Sequence, residues 1–210
     1  MQINLVGIEP KLIAAWQQLF KHCENVSIIH DSIFNLKADA IVSPANSFGY
    51  MNGGIDFTIS KTMGWHIEKR LQEKIRTEFY GELLVGQATY VETDHSAFPF
   101  LISAPTMRTP MTIIKSPNVY LAMKAILNLI KFGKTEKGEP LSTKITSIAI
   151  PGLGTGIGQV PAMHCARQMR LAYEDVFGNM HATKERWNKM TENFAYFYTQ
   201  DERDIKYDLS

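Results

Sequence analysis

The chain has 210 residues, 45% of them hydrophobic, which fits one globular domain or a domain with a modest extension and excludes disorder and a small stapled scaffold. Its 22 basic and 21 acidic residues leave a formal net charge of +1 with no block of like charge, which argues against duplex nucleic acid or an anionic membrane as an electrostatic partner. A neutral protein can still bind an anion if backbone N–H groups supply the donors.

In chain order, Ile3 to Ile8 reads as a first strand, and Pro10 suits the first turn of a helix carrying Leu12, Trp16, Leu19 and Phe20 at helical spacing. Val26 to Ile29 reads as a second strand. Ala40-Ile41-Val42 reads as a compact buried strand that runs into Ser43-Pro44-Ala45-Asn46 and a glycine-bearing loop. One long helix is expected from about Ile55 to Phe79, through Ile59, Met63, Ile67, Leu71 and Ile75. Gln87 to Glu92 and Phe100 to Ser103 are strand candidates around a turn at Asp94-His95-Ser96. Ser116 as N-cap and Pro117 at the next position predict a helix with Tyr120, Met123, Ile126 and Ile130 on one face. Lys134 to Glu139 is a polar surface loop. Ile145 to Ile150 is a further buried strand, followed by Pro151 to Gly158 and then by a helix opened by Pro161, with Ala162, Ala166, Met169 and Tyr173 inward. Beyond Asn179 two readings stand: Phe194 to Thr199 as a last strand, or as the end of a helix from near Thr183. The alternation predicts a three-layer α/β/α sandwich around a mixed, mainly parallel sheet.

Cys23 and Cys165 lack CxxC spacing and sit among apolar residues, so buried free thiols and a reducing compartment are expected. Residues Met1 to Glu9 lack a basic segment followed by an apolar run, and no run of about 18 apolar residues occurs, so a cytoplasmic protein without membrane association is expected.

Two glycine-containing loops follow buried strands and precede helices: Asn46 to Asp56, and Gly152 to Gly158. In open α/β sheets ligands settle beyond the carboxyl ends of strands, and successive N–H groups at a helix start cradle phosphate without a lysine. Two such loops facing each other suit a diphosphate; singly, each also reads as a tight turn between strand and helix. The strict alternation of Gly152, Gly154, Gly156 and Gly158 is not a GxGxxG, and no Gly-Lys-Ser/Thr follows, so a P-loop is excluded.

At these residues the sequence resembles a macrodomain. That family's strand reads roughly Asp-Ala-Ile-Val-Asn-Ala-Ala-Asn, then a glycine-rich loop closing on Val-Asp. Here Asp39-Ala40-Ile41-Val42-Ser43-Pro44-Ala45-Asn46 precedes Gly53-Gly54-Ile55-Asp56, and His30-Asp31-Ser32-Ile33 is similar to the family's Gly-Asp-Ile segment. Pro151 to Gly158 resembles its second phosphate loop. The resemblance covers roughly residues 1–178, with 179–210 as a C-terminal extension or final strand or helix.

The resemblance implies an ADP-ribose cleft with possible hydrolysis of ADP-ribosyl bonds, the alternative being a non-catalytic reader or sensor. It implies that Asp31 accepts from the adenine amine, beside Ser32, and that Asn46 bonds the distal ribose. Gly53, Gly54 and Ile55 would hold one phosphate; Gly154, Thr155, Gly156, Ile157 and Gly158 would line the other. Asn46 and Asp56 would be the catalytic pair, Asp56 activating a water. Local readings stand beside these: Asp31 capping a turn, Asn46 as an Asx-turn residue, and Asp56 countering the helix dipole. Two departures are visible. Ser43-Pro44 replaces Asn-Ala, and Met51 and Asn52 stand where two further glycines are common. The adenine-stacking aromatic is not marked by any motif, and Tyr198 is the guess.

The implied partner is ADP-ribose or an ADP-ribosylated macromolecule, with nucleic acid expected only as a modified substrate, and no cofactor. The six histidines are scattered without HExxH or a Cys/His cluster, so no metal site is expected. His164 and Cys165 are adjacent and project about 100° apart on a helix, which does not make a nucleophile–base pair. His66 reads as a mid-helix surface or interface residue, and Arg108 as a solvated loop arginine, the alternative being a contact to a phosphate or partner. Trp187, Phe194, Tyr196, Phe197 and Tyr198 read as packing of the extension.

Overall fold

Each apolar run that turn residues set off becomes a strand. The computed structural model describes residues 1–178 together with Trp187 and Met190. Its strands are β1 (Gln2–Gly7), β2 (Val26–His30), β3 (Ala40–Ser43), β4 (Thr89–Glu92), β5 (Phe100–Ser103) and β6 (Ser147–Ile150). They form one sheet in the order β2-β1-β6-β3-β5-β4, parallel throughout except for the β4–β5 pair at one edge. β3, near the middle, is buried along its whole length, as a strand covered on both faces must be.

The helices are α1 (Pro10–Phe20), α2 (Gly54–Met63), α3 (His66–Glu78), α4 (Asn118–Phe132), α5 (Leu141–Lys144) and α6 (Ala162–Phe177). Strand residues alternate between two cores. Ile3, Leu5, Ala40, Val42, Ile148 and Ile150 pack with α1, α4 and α6. Val6, Ile41, Leu101 and Ala149 pack with α2 and α3 through Ile59, Ile67, Leu71 and Ile75. The period-2 alternation thus divides the helices into two layers, and the fold is the three-layer α/β/α sandwich.

Several boundaries differ from the sequence expectation. The single helix over 55–79 is two helices. Gly64, at φ 112°, caps α2 by donating to the Ser60 carbonyl at 2.9 Å, a backbone angle that breaks the helical path. His66 consequently opens α3 instead of sitting within a helix, and its Nε2 lies 3.0 Å from the Thr93 carbonyl. α4 begins at Asn118 with Pro117 as its N-cap. The Ser116 hydroxyl donates to the Ile113 carbonyl and accepts from the Asn118 N–H at 3.4 Å. β4 starts at Thr89 and β6 at Ser147. The inward face of α6 runs through Cys165, Ala166, Met169, Ala172 and Val176, with Ala162 and Tyr173 only half-buried. α5 and a 3₁₀ turn at Ile33–Asn35 carry no helical periodicity long enough to show in the sequence.

Cys23 and Cys165 are buried free thiols, and burial pushes the Cys165 thiol up to about 12. Among the described residues no helix is long and apolar enough to cross a membrane. The candidate strand at Phe194 to Thr199, its helical alternative, and Tyr198 lie outside the described residues.

Candidate functional site

Because five of the six strands run in one direction, the chain leaves β1, β2, β3, β5 and β6 along the same edge. A cleft of about 520 Å³ runs along that edge. At one end lie residues that follow β1 and β2; the loop after β6 comes next, then the loop after β3, then residues beyond β5. Neighbouring strands are about 4.8 Å apart, so the cleft spans roughly 19 Å of sheet edge. Every described site residue expected from the sequence lines it: Asp31 and Ser32, Asn46 and Gly53 to Asp56, and Gly154 to Gly158.

The loop after β6 is shaped by two of its glycines and opened by a third. Gly154 has φ 68°, and a Cβ on it would stand 2.9 Å from Ile113 Cδ1. A Cβ on Gly158 would stand 2.5 Å from the Gly154 carbonyl oxygen. The turn closes through Val160 N–H to Gly154 O and Gln159 N–H to Gly156 O, each at 3.0 Å. Gly156 differs, since a Cβ there would meet nothing within 4 Å. The N–H groups of Thr155, Gly156, Ile157 and Gly158 donate to no acceptor among the described residues.

The loop after β3 ends at the N-terminus of α2. Gly53 is its N-cap in extended conformation without a side-chain cap bond, and a Cβ on Gly53 or Gly54 would again meet open space. The first N–H groups of a helix have no intrahelical acceptor, and they carry the positive end of its dipole. Met51 does not crowd this cradle. Its side chain is fully buried in the α2–α3 core, and its N–H donates to Glu68 Oε2 at 2.5 Å.

Asn46 organises its own loop. Its Oδ1 accepts from the N–H groups of Phe48 (3.1 Å) and Tyr50 (3.3 Å), while Nδ2 donates to the Tyr50 carbonyl at 2.8 Å. The Asx-turn reading therefore holds, and one amide hydrogen is left for a ligand. Ser32, not Asp31, is the N-cap of the 3₁₀ turn; Asp31 precedes it, its Oδ1 accepting from the Ser32 N–H (2.6 Å) and Asn35 Nδ2 (2.8 Å), which leaves Oδ2 without a partner among the described residues. The Ser32 hydroxyl accepts from the Phe34 N–H at 3.4 Å.

Asp56 lies in the first turn of α2 at the floor of the cleft, 7% exposed, and Ser43 Oγ donates to its Oδ1 at 2.6 Å. Burial pushes the carboxyl up to about 7, against the lowering effect of the Ser43 bond. The Ser43 that replaces the family's asparagine is thus the direct partner of the candidate base.

Phe34, Tyr50, Ile8 and Glu9 also line the cleft, and the sequence reading missed them. Phe34 was within reach: it directly follows the Asp31-Ser32-Ile33 segment, but only the unforeseen 3₁₀ turn aims it at the cleft. Arg108 is outside the lining. Its guanidinium pairs with Glu82 at 2.6 and 3.1 Å and lies 5.6 Å from the Phe48 ring centroid.

Fold and cleft together define a class, an α/β/α sandwich whose sheet edge carries a cleft lined by backbone N–H groups without acceptors among the described residues. The Macro domain family model matches residues 42–169. An uncharacterized protein of Aquifex aeolicus is 34% identical over 145 residues, covering 69% of this chain and 78% of its own. Among solved structures, the macrodomain of Mycobacterium tuberculosis DarG superposes with a TM-score of 0.56 at 18% identity, over 69% of this chain and 87% of that one. A mutant Oceanobacillus iheyensis macrodomain, solved with ADPR, does so at 0.55 and 18% identity, over 76% and 86%. The chain belongs to the Macro domain family.

Proposed function

We propose that this chain recognises ADP-ribose, free or attached to a macromolecule, and that Asp56 activates a water for hydrolysis of an ADP-ribosyl bond. The observation that carries the reading is the pair of loops after β3 and β6. Each turns unpaired N–H groups and glycines with open space beside them into one cleft. A diphosphate matches two such cradles, and the mutant Oceanobacillus iheyensis macrodomain of the same fold was solved with ADPR.

In this reading the free Oδ2 of Asp31 takes the adenine amine, with Phe34 and Ile8 as apolar surfaces for the purine. The remaining amide hydrogen of Asn46 meets a hydroxyl of the distal ribose. Asp56, with a pKa near neutrality, is suited to accept a proton from water at physiological pH. In the same reading residues 1–178 are the domain that carries the cleft, and 179–210 are the C-terminal segment that follows it in sequence. A non-catalytic reader shares the pocket, and the 7% exposure of Asp56 favours that second reading.

Calorimetric titration with ADP-ribose, with AMP and NAD as comparators, tests the binding claim on the wild type and on Gly156→Glu. Micromolar binding to ADP-ribose that the substitution abolishes supports it; no heat from any ligand refutes it. Turnover lost in Asp56→Ala with affinity kept supports the hydrolase, whereas release unchanged by that substitution leaves the reader.

A further inference from the structure

Among the described residues no lysine, arginine or histidine lines the cleft, and its charged lining residues are Glu9, Asp31 and Asp56, all acidic. A diphosphate there would find no cationic side chain among the described residues and would rely on neutral donors, chiefly the N–H groups of the two loop cradles.

Two of the three carboxylates share one end. Glu9 follows β1 and Asp31 follows β2, and these strands pair in parallel with Gly7 opposite His30. Neither carboxylate is free to swing away. Glu9 caps α1, its Oε1 accepting from the Lys11 N–H at 3.1 Å and its Oε2 from the Leu12 N–H at 2.7 Å. It therefore fills, with a charge of its own, the helix N-terminus that would otherwise attract a phosphate. Asp31 is held by Ser32 and Asn35. The neighbouring basic residues lie outside the lining: Lys11 is exposed, and the His30 ring is 3.2 Å from the Ile8 carbonyl.

We infer that the β1–β2 end of the cleft is a charge filter, which admits an adenosine with free ribose hydroxyls and rejects one bearing a phosphate on that ribose. The inference rests on the proposed reading, in which the adenosine occupies this end. A phosphate monoester adds about 1.5 to 2 negative charges at neutral pH, and here it meets two fixed carboxylates and an α1 terminus already occupied. The filter separates ADP-ribose from 2′-phospho-ADP-ribose, its counterpart derived from NADP.

Affinities for these two compounds, measured by calorimetry on the wild type and on the Glu9→Gln/Asp31→Asn double variant, test it. The expected wild-type preference for ADP-ribose is about tenfold or more. The double variant keeps acceptors for Leu12 and Ser32 while losing the charge, and its preference should fall toward unity even if its absolute affinity for adenosine weakens. If that variant does not fold, raising the salt from about 0.05 to about 0.5 M on the wild type should narrow the ratio instead. No ADP-ribose binding by the wild type would remove the underlying reading. Equal binding of both compounds would leave that reading intact and overturn the filter. A wild-type preference unchanged both in the double variant and in high salt would overturn its assignment to Glu9 and Asp31.

Discussion

Replacing Asp56 by Asn should stabilise the protein above neutral pH while leaving it little changed in acid. Asp56 is buried against Ser43, and its carboxyl is raised from 3.8 to about 7. A raised acid pKa means that the native state holds the proton where the unfolded chain has released it. Stability is therefore full below the unfolded value and falls as pH rises, until the folded group ionises near 7. The slope is about 1.4 kcal/mol per pH unit, so about three units amount to a loss of about 4 kcal/mol. In a domain of this size that corresponds to a melting temperature lower by about 10 °C. Asn has no proton to release, and its carbonyl oxygen can still accept from Ser43. Its extra N–H₂ group adds a penalty of about 1 kcal/mol that is independent of pH.

The assay is thermal or urea unfolding of both proteins from about pH 4 to pH 8, reading the difference between them so that other titrating groups cancel. The difference should grow in favour of Asp56→Asn up to about pH 7 and then level off. A difference that stays flat across the range would refute the argument, because Asp56 would then titrate alike in the folded and unfolded chains. If Asp56 is also the base, kcat/KM of the wild type rises through the same pH and then reaches a plateau.

Ser43→Ala removes the donor that partly offsets burial, so the pH at which Asp56 ionises should move higher, visible as a later plateau in the same unfolding series. Gly156→Glu should abolish ADP-ribose binding with stability changed by less than about 0.5 kcal/mol, since its Cβ has open space; Gly158→Ala should cost about 1–3 kcal/mol in urea unfolding, because its Cβ would lie 2.5 Å from the Gly154 oxygen. Asp39→Ala should cost about 1–3 kcal/mol at neutral pH, measured the same way, because Asp39 Oδ2 accepts from Thr146 and Ser147 through both N–H groups and both hydroxyls. Burial raises the Asp39 pKa, but those bonds outweigh it and hold the carboxyl below its usual range. The contribution of Asp39 is thus present at neutral pH and lost as pH falls through that lowered value, opposite in sign to that of Asp56.

The strands were legible because buried strands leave unbroken apolar runs, as at Ala40 to Val42 and Ile148 to Ile150, and because turn residues bound them. The break at Gly64 was not, since Ile59, Met63, Ile67 and Leu71 keep helical spacing across it and an isolated glycine is compatible with a helix. Periodicity reports which face is buried, not whether the backbone carrying it is continuous. Nor does the sequence, which shows Met51 standing where a further glycine is common, reveal that its side chain belongs to the core with α2 and α3.

The site shows the deeper limit. Four alternating glycines after β6 look equivalent in a string of letters and all line the cleft, yet three are closely packed at the Cβ position and one has open space there. Gly152 would press a Cβ onto Leu12 Cδ2 at 2.6 Å, Gly154 onto Ile113, and Gly158 onto its own loop, while Gly156 has nothing in front of it. A glycine needed for the turn is lost to strain, and a glycine needed for a ligand is lost only to what its new side chain excludes. The two kinds respond to opposite measurements, stability in one case and affinity in the other. Ser43 and Asp56 carry the same lesson, because a pair 13 positions apart becomes a single titrating unit only when β3 and α2 meet at the cleft floor. A buried carboxylate that weakens the fold at neutral pH, at the bottom of a cleft that also holds Gly53, Gly54 and Gly156 with open space beside them, is what the proposed ligand chemistry, and not packing, accounts for.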